Sequence, residues 1–460
     1  MRLTYIGHAA AVFDVGGVRL ITDPVFSEPL YCNTLWHYPP LALGIGDLPP
    51  VDFIYISHHH GDHFDPASLA RFDKSAALIV PALDAGWAPP STSAQRDRFH
   101  RAVRALGFKT VHVLGAWETL DLAPNFRVTM VPAATAEPDS SLLVEAAGTT
   151  AFVQNDNYLG DTVVAELARR FPVVDVGLMF SGSSIGYPAV ADLSDEERWS
   201  EAQRRRYEYF FPKAVGYLAA LRPRLFVPFA NDLSWLAPED LWINRLCRIH
   251  PAEFVNYLEA HPVAGVRPML MQSGDEWSAA SGLVRRGVLL DTNRLFEEMA
   301  DYARTLAPAA AELRARERTV DTTGLRDLFL QRITAACRAT RAAIQPIHRL
   351  TVYLRVTGRV PHEFTLAFGG GDCRVSEGAP SGEWDLRITV DDFLLVRALR
   401  GEIEFQEIRN TRWRISHPRG YSEAIRRFWL WLCVDVDSYL AGFEEPVAPA
   451  SECAATDAFL

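Results

Sequence analysis

Six consecutive residues, His58-His59-His60-Gly61-Asp62-His63, hold the densest concentration of chemically competent side chains in the chain. They follow a short apolar run at 53–57 (FIYIS), which reads as a buried strand, so the cluster lies on a strand-end loop. In extended backbone, alternate side chains share a side. His58 and His60 therefore face one way and His59 the other. Gly61 is expected to bend the backbone, so that Asp62 and His63 address a second position. Imidazole and carboxylate at this spacing suit two metal ions. A merely solvated loop gives no reason for so many ligand types to gather at the end of a strand.

The rest of the chain has to position that loop. Its 460 residues are too many for one ordinary domain and imply two or three. Hydrophobic residues at 48% and charged residues at 22% match a globular protein. With 57 acidic against 46 basic side chains the net charge is −11, which argues against coating nucleic acid. No apolar run approaches the roughly 20 residues of a membrane span; the longest candidate, 428–434, is core-sized. The opening MRLTYIGHAA lacks a basic stretch followed by an apolar one, so no signal peptide is expected. Cys32, Cys247, Cys337, Cys373, Cys433 and Cys453 form no CxxC or CxH pair, and read as free thiols in a reducing cytosol. The expected location is cytoplasmic.

Short strands are expected at 3–6, 11–15, 18–21, 53–57, 77–80, 110–114, 127–131, 141–145, 150–154, 176–180 and 224–228. Helical patterns fall at 66–71, 162–170 and 196–221, giving a layered α/β architecture. From about 278 the composition turns to Ala, Leu, Arg and Glu at helical spacing, in segments 293–307, 309–318 and 324–344. Strands return at 349–356, 362–368 and 384–390. A short helix ending near Gly401 and a last helix at 422–439 follow.

The HxHxDH pattern after a buried strand, with the opening IGHAA and GGVRLITDP, resembles the metallo-β-lactamase superfamily. The resemblance covers about residues 1–275, ending near QSGDEW. It implies an αββα sandwich with the metal site at one sheet edge, and casts Asp23 of the TDP segment as the aspartate that orients the metal histidines. His8 matches a histidine often seen near such pockets; a satisfied core histidine is the expected role.

Two ligands of the hydrolytic members are missing. Where they place a further histidine, this chain reads VPAATAEPDSS, offering Glu137 and Asp139. The bridging aspartate matches Asp156, with Asp161 the weaker choice. The last histidine is replaced by Ala230 in LFVPFANDLSW, leaving Asn231, Asp232 or water. The implied set is His58, His60, Glu137 and Asp156 at one metal, and Asp62, His63 and Asp156 at the other. Asp62, Asp156 and Glu137 are the expected catalytic carboxylates. Carboxylate oxygen favours oxidised iron over zinc, though zinc accepts it too.

VPFANDLSW, MFSGSSIGYP, YPPL and the helix EERWSEAQRRRYEYFFPKAVGYLAAL are similar to the CMP-N-acetylneuraminate hydroxylases and their bacterial relatives. A glutamate at Glu137 is instead similar to the diiron β-hydroxylases of antibiotic biosynthesis. No Rieske CxH…CxxH motif is present, so electrons would come from a separate ferredoxin or Rieske-type reductase. GEWDLRITVDDFLLVRALRGEIEF is similar to sterol-carrier-protein-2 domains.

Of the remaining motifs, Arg204–Arg206 reads by default as a solvated charge run, and as a binder of substrate phosphate or carboxylate in the sharper alternative. Gly369-Gly370-Gly371 reads as a hairpin, Ser181–Ser184 as a pocket loop, and Phe428, Trp429 and Trp431 as core.

The expected organisation is a metallo-β-lactamase-fold catalytic domain at 1–277, a helical connector at 278–345, a sterol-carrier-protein-2-like α+β domain at 346–445 and a flexible tail at 446–460. The expected function is a non-haem diiron oxygenase using two iron ions and O2 to hydroxylate or N-oxidise a small-molecule, carrier-linked or nucleotide-linked substrate. The alternative is a binuclear zinc or manganese hydrolase of an ester, lactone or phosphodiester. The sequence leaves the oligomeric state open, a homodimer being one option, and no nucleic-acid partner is expected.

Overall fold

Alternation along the strands sorts the first half of the chain into two facing sheets. In Phe126–Pro132, Ser140–Ala146 and Thr149–Val153, one alternate set (Val128, Met130, Leu142, Val144, Ala151, Val153) joins one apolar cluster, while Val131, Leu143 and Phe152 join another. Both faces of this sheet are therefore buried. Each fully buried aliphatic side chain contributes about 1.5–3 kcal/mol.

The computed structural model describes residues 1–84, 93–134, 139–182, 186–285 and 293–441. The first sheet has eight strands in the order Gly282–Val284, Glu276–Ser278, Arg2–Gly7, Ala10–Val15, Val18–Thr22, Phe53–Tyr55, Ala77–Pro81 and Thr110–Leu114. The second has seven: Arg267–Pro268, Leu225–Phe229, Val176–Phe180, Thr149–Val153, Ser140–Ala146, Phe126–Pro132 and Thr119–Ala123. Leu3, Ile54, Val128 and Val227 share the core between them. Helices Asp161–Arg170, Phe211–Leu221 and Pro251–Ala260 cover the second sheet through Leu167, Leu218 and Phe254. Leu69 and Phe99, from Pro66–Ala70 and Ser93–Ala105, pack with the first. This is the expected αββα layering.

The chain then runs through one long helix, Leu295–Glu317, rather than two. Pro308 lies inside it, yet Ala303 and Ala310 on either side are buried in the same apolar cluster with Trp36 and Tyr38. That packing holds the helix through the missing N–H. A five-stranded sheet follows, in the order Asp372–Glu377, His362–Gly369, Arg349–Thr357, Leu386–Asp391, Arg414–Ser416. It has its own core, to which Leu325–Ala339, Asp392–Leu399 and Glu423–Leu430 contribute. Phe428, Trp429 and Trp431 are buried there, and Gly370-Gly371 forms the expected hairpin turn with positive φ.

The helical pattern at 196–221 departs from expectation: a π-helical segment, Arg205–Phe210, separates Asp195–Arg204 from Phe211–Leu221. Arg204 pairs with Glu201, but Arg205 and Arg206 are buried, not solvated. Arg205 stacks on Tyr187 and Phe210, while Arg206 donates to the carbonyl of Arg248. Cys32, Cys247, Cys337, Cys373 and Cys433 are buried free thiols; Cys453, the 446–460 tail and Ser183-Ser184 of the pocket-loop motif lie outside the described residues. Among the described residues, no helix is long and apolar enough to cross a membrane.

Candidate metal centre

Four segments that lead off strands of the two sheets meet at one edge, each turning on a non-glycine residue in the left-handed region. These are His8 (φ 51°) and Asp23 (φ 29°) from the first sheet, and Asn155 (φ 55°) and Ala230 (φ 56°) from the second. Such conformations cost energy and gather at functional sites. The Ser57–His63 loop emerges among them. Gly61 does not take the left-handed conformation; the bend is closed instead by His63 N and Phe64 N donating to His60 O, at 2.9 and 2.7 Å. Ser140 fixes the loop to the second sheet, its Oγ donating to Ser57 O at 2.8 Å.

Asp23 organises the interior. One oxygen accepts from Ser57 N at 2.7 Å; the other accepts from Ser57 Oγ at 2.6 Å and from His63 Nδ1 at 2.7 Å. With Nδ1 committed, His63 Nε2 is buried and has no hydrogen-bond partner. It points towards Asp156 Oδ2 at 3.6 Å and Asp62 Oδ2 at 3.9 Å. His58 is held likewise, Nδ1 lying 3.2 Å from Asp139 Oδ1 and 2.9 Å from Ser57 Oγ. Its Nε2 faces His60 Nδ1 at 2.8 Å.

The ligand atoms of His58, His63 and Asp156 lie within 4.8 Å of one another, as do those of His8, Asp62 and His63. An orphaned imidazole nitrogen, aimed at carboxylates and oriented by a buried aspartate, fits a metal ion. His63 has one free nitrogen and so serves one ion. His58 and Asp156 group with His63, and His8 and Asp62 group with the same His63; His60 enters neither group, its Nδ1 facing His58 and its Nε2 facing Gln406. The His59 ring lies 4.8 Å from that of His60, tilted by 55°.

The electrostatics agree. Burial opposes charge on His63, but Asp62, Asp156 and Asp23 outweigh it and raise its pKa well above the usual value. The carboxylates demand a cation, and a metal ion meets the same demand. Burial, reinforced by the neighbouring His63 charge, lowers His58 to about 4, keeping it the neutral imidazole that a metal needs. Asp62 is held well below the usual carboxylate range: burial opposes this, and His63 and His8 prevail.

Of the expected residues that are described, not every one joins the site. Glu137 lies outside the described residues. Asp161 begins the exposed first turn of Asp161–Arg170. Asn231 and Asp232 are engaged away from this cluster: Asn231 Nδ2 donates to Ile249 O, and Asp232 Oδ2 accepts from Tyr5 OH at 2.6 Å and His8 N at 2.9 Å. The corner left by Ala230 is taken by His8, whose carbonyl accepts from Ala230 N and whose Nε2 lies 3.2 Å from Asp62 Oδ2. His8 is buried and hydrogen-bonded, as expected of a core histidine, and it also stands among the candidate ligands. Asp139 stands beside His58, not His63.

Two contributors carry no local signature in the sequence. Tyr31 donates to Asp62 Oδ1, in a stretch where Tyr31, Cys32 and Asn33 are all left-handed. Gln406, from the helix Phe405–Thr411 beside the five-stranded sheet, places its amide 2.9 Å from His60 Nε2.

Residues 2–163 match the model of the β-lactamase superfamily domain. A protein named as a Rieske 2Fe-2S iron–sulfur protein from Mycobacterium tuberculosis is 27% identical over 330 residues, covering 68% of this chain. This chain spans 62% of that relative's length. The cytidine monophosphate-N-acetylneuraminic acid hydroxylase of Mus musculus is 25% identical over 258 residues, covering 53% of this chain and 41% of its own. The solved diiron β-hydroxylase of Streptomyces venezuelae is 18% identical with a TM-score of 0.39, covering 58% of this chain and 52% of its own. Sheet order, core and sequence match agree on one architecture: the chain has the mixed α/β metallo-β-lactamase fold, with helices and a further sheet following it.

Proposed function

We propose that the chain is a non-haem diiron oxygenase, hydroxylating or N-oxidising a small-molecule, carrier-linked or nucleotide-linked substrate with O2. The observation that carries this reading is the carboxylate share of the donor set: Asp62 and Asp156 converge on His63 with no histidine at Ala230. Hard oxygen donors suit iron. Similarity to a sialic-acid hydroxylase supports the same class.

Two iron ions held by His58, His60, Asp62, His63 and Asp156, with Glu137 added from the sequence, would supply reductive activation of dioxygen. The chain's own residues prepare the site for them. Asp23 presents Nε2 of His63, Asp139 and Ser57 fix His58, and Tyr31 and His8 hold the two oxygens of Asp62. Electrons come from a separate ferredoxin or Rieske-type reductase, a partner in keeping with the name of the mycobacterial relative. The protein is cytoplasmic in this reading, and its C-terminal domain is sterol-carrier-protein-2-like.

A binuclear zinc or manganese hydrolase is the second reading, favoured by the imidazole that His8 adds beside Asp62 and His63. Oxygen consumption separates the two. Protein expressed with iron and given a chemical reductant should take up O2 in proportion to bound iron. Stoichiometric zinc with no iron-dependent uptake rejects the oxygenase.

A further inference from the structure

A cavity of about 520 Å³ lies away from the metal centre, where the lactamase-fold domain, the long helix Leu295–Glu317 and the five-stranded sheet meet. It shares no residue with the metal ligands. Its volume falls within the roughly 300–1,000 Å³ of small-molecule sites.

The acids that line it are already engaged. Arg314 pairs with Glu239 at 3.1 Å and Asp240 at 2.6 Å. Glu317 accepts from Arg412 Nη2 at 3.0 Å and from Asn33 at 3.1 Å, and Asp391 accepts from Thr357 at 2.8 Å. The donors are not. Arg412, with its side chain 10% exposed, leaves Nη1 buried without a hydrogen-bond partner, as does Nε1 of the buried Trp413 beside it. Arg318 and Arg414 are exposed and also line the cavity, Arg414 acting on Asp240. Unpaired buried donors cost about 1–3 kcal/mol each, a cost that an acceptor-bearing ligand removes. Trp242 and Phe393 offer apolar surface alongside.

We propose that this cavity is a binding site for an oxyanion-bearing small molecule, a carboxylate or a phosphate, seated on Arg412 and Trp413 with its apolar body against Trp242 and Phe393. Guanidinium supplies charge and paired donors, and the indole N–H supplies one further donor. Nothing in this assignment depends on which metal the other site holds.

The test is calorimetric titration of the full-length, metal-loaded chain with inorganic phosphate, phenylacetate and methyl phenylacetate. Trp413→Phe keeps an aromatic ring but removes the N–H together with part of the bicycle; Arg412→Gln removes the charge while Arg314 still neutralises Glu317. The expected result is saturable binding of phosphate or phenylacetate, at least tenfold weaker in both variants, and none of the uncharged ester. Phosphate alone binding assigns the site to phosphates, and phenylacetate alone assigns it to carboxylates. Binding that is unchanged in both variants, as for an anion on the metals, overturns the proposal. So does equal binding of the ester, or no binding of either anion.

Discussion

Gln406 and His60 are 346 residues apart in sequence, yet their side chains meet at 2.9 Å. Gln406 lies on the helix Phe405–Thr411, whose start is pinned by Asp437 accepting from Phe405 N at 2.9 Å. The domain beyond the lactamase fold therefore takes part in orienting a candidate ligand. Because an amide presents either its oxygen or its nitrogen, Gln406 can hold His60 Nε2 in whichever tautomer leaves Nδ1 facing His58.

Gln406→Leu should weaken metal binding about 10–100-fold, the usual effect of removing a ligand's outer partner. Gln406→Glu, which lacks the amide N–H that faces His60 Nε2, should recover little of it. Chelator-competition titration reads both, and equal affinity in all three proteins would show that the contact does not matter.

Asp23→Ala strips partners from Ser57 N, Ser57 Oγ and His63 Nδ1 at once. Each orphaned buried donor costs about 1–3 kcal/mol. The variant should lose several kcal/mol by denaturant unfolding and bind metal poorly at the position of His63. Near-wild-type stability would mean that the loop rearranges to satisfy itself.

Gly61→Ala should be nearly silent. Gly61 avoids the left-handed region, and a Cβ there meets nothing within 4 Å. A loss of metal binding greater than about threefold would contradict the described loop.

Glu407 sets a pH dependence. Burial, with Glu404 nearby, raises its pKa to about 7. The folded state thus holds the proton more tightly than the unfolded chain, so its contribution is fully present below the unfolded value of about 4.3 and is lost as pH rises through about 7. Glu407→Gln should narrow the stability difference between pH 5 and pH 8 by about 2–3 kcal/mol. Parallel pH profiles for mutant and wild type would rule this out.

The lactamase fold was legible because its strands alternate and its metal loop is contiguous. The strand before them predicts that His58, His60, Asp62 and His63 share one loop, as they do, and the TDP match predicts Asp23 beside His63. The remainder depends on tertiary contacts that no local pattern encodes. His8 looked like a core histidine because its role arises from Ala230 and Asp232, more than two hundred residues away. Tyr31 owes its position to three successive left-handed residues that contain no glycine. The burial of Arg205 and Arg206 follows from a π-helical segment, which shifts the helical phase that a regular pattern assumes.

Anomalous X-ray scattering across the iron and zinc edges, from crystals of the chain grown with iron, tests the central claim most directly. Two iron peaks are predicted, one against His58, His60 and Asp156 and the other against Asp62, His63 and Asp156. Zinc alone at these positions, or a single ion with His63 Nε2 left unligated, would contradict the diiron assignment.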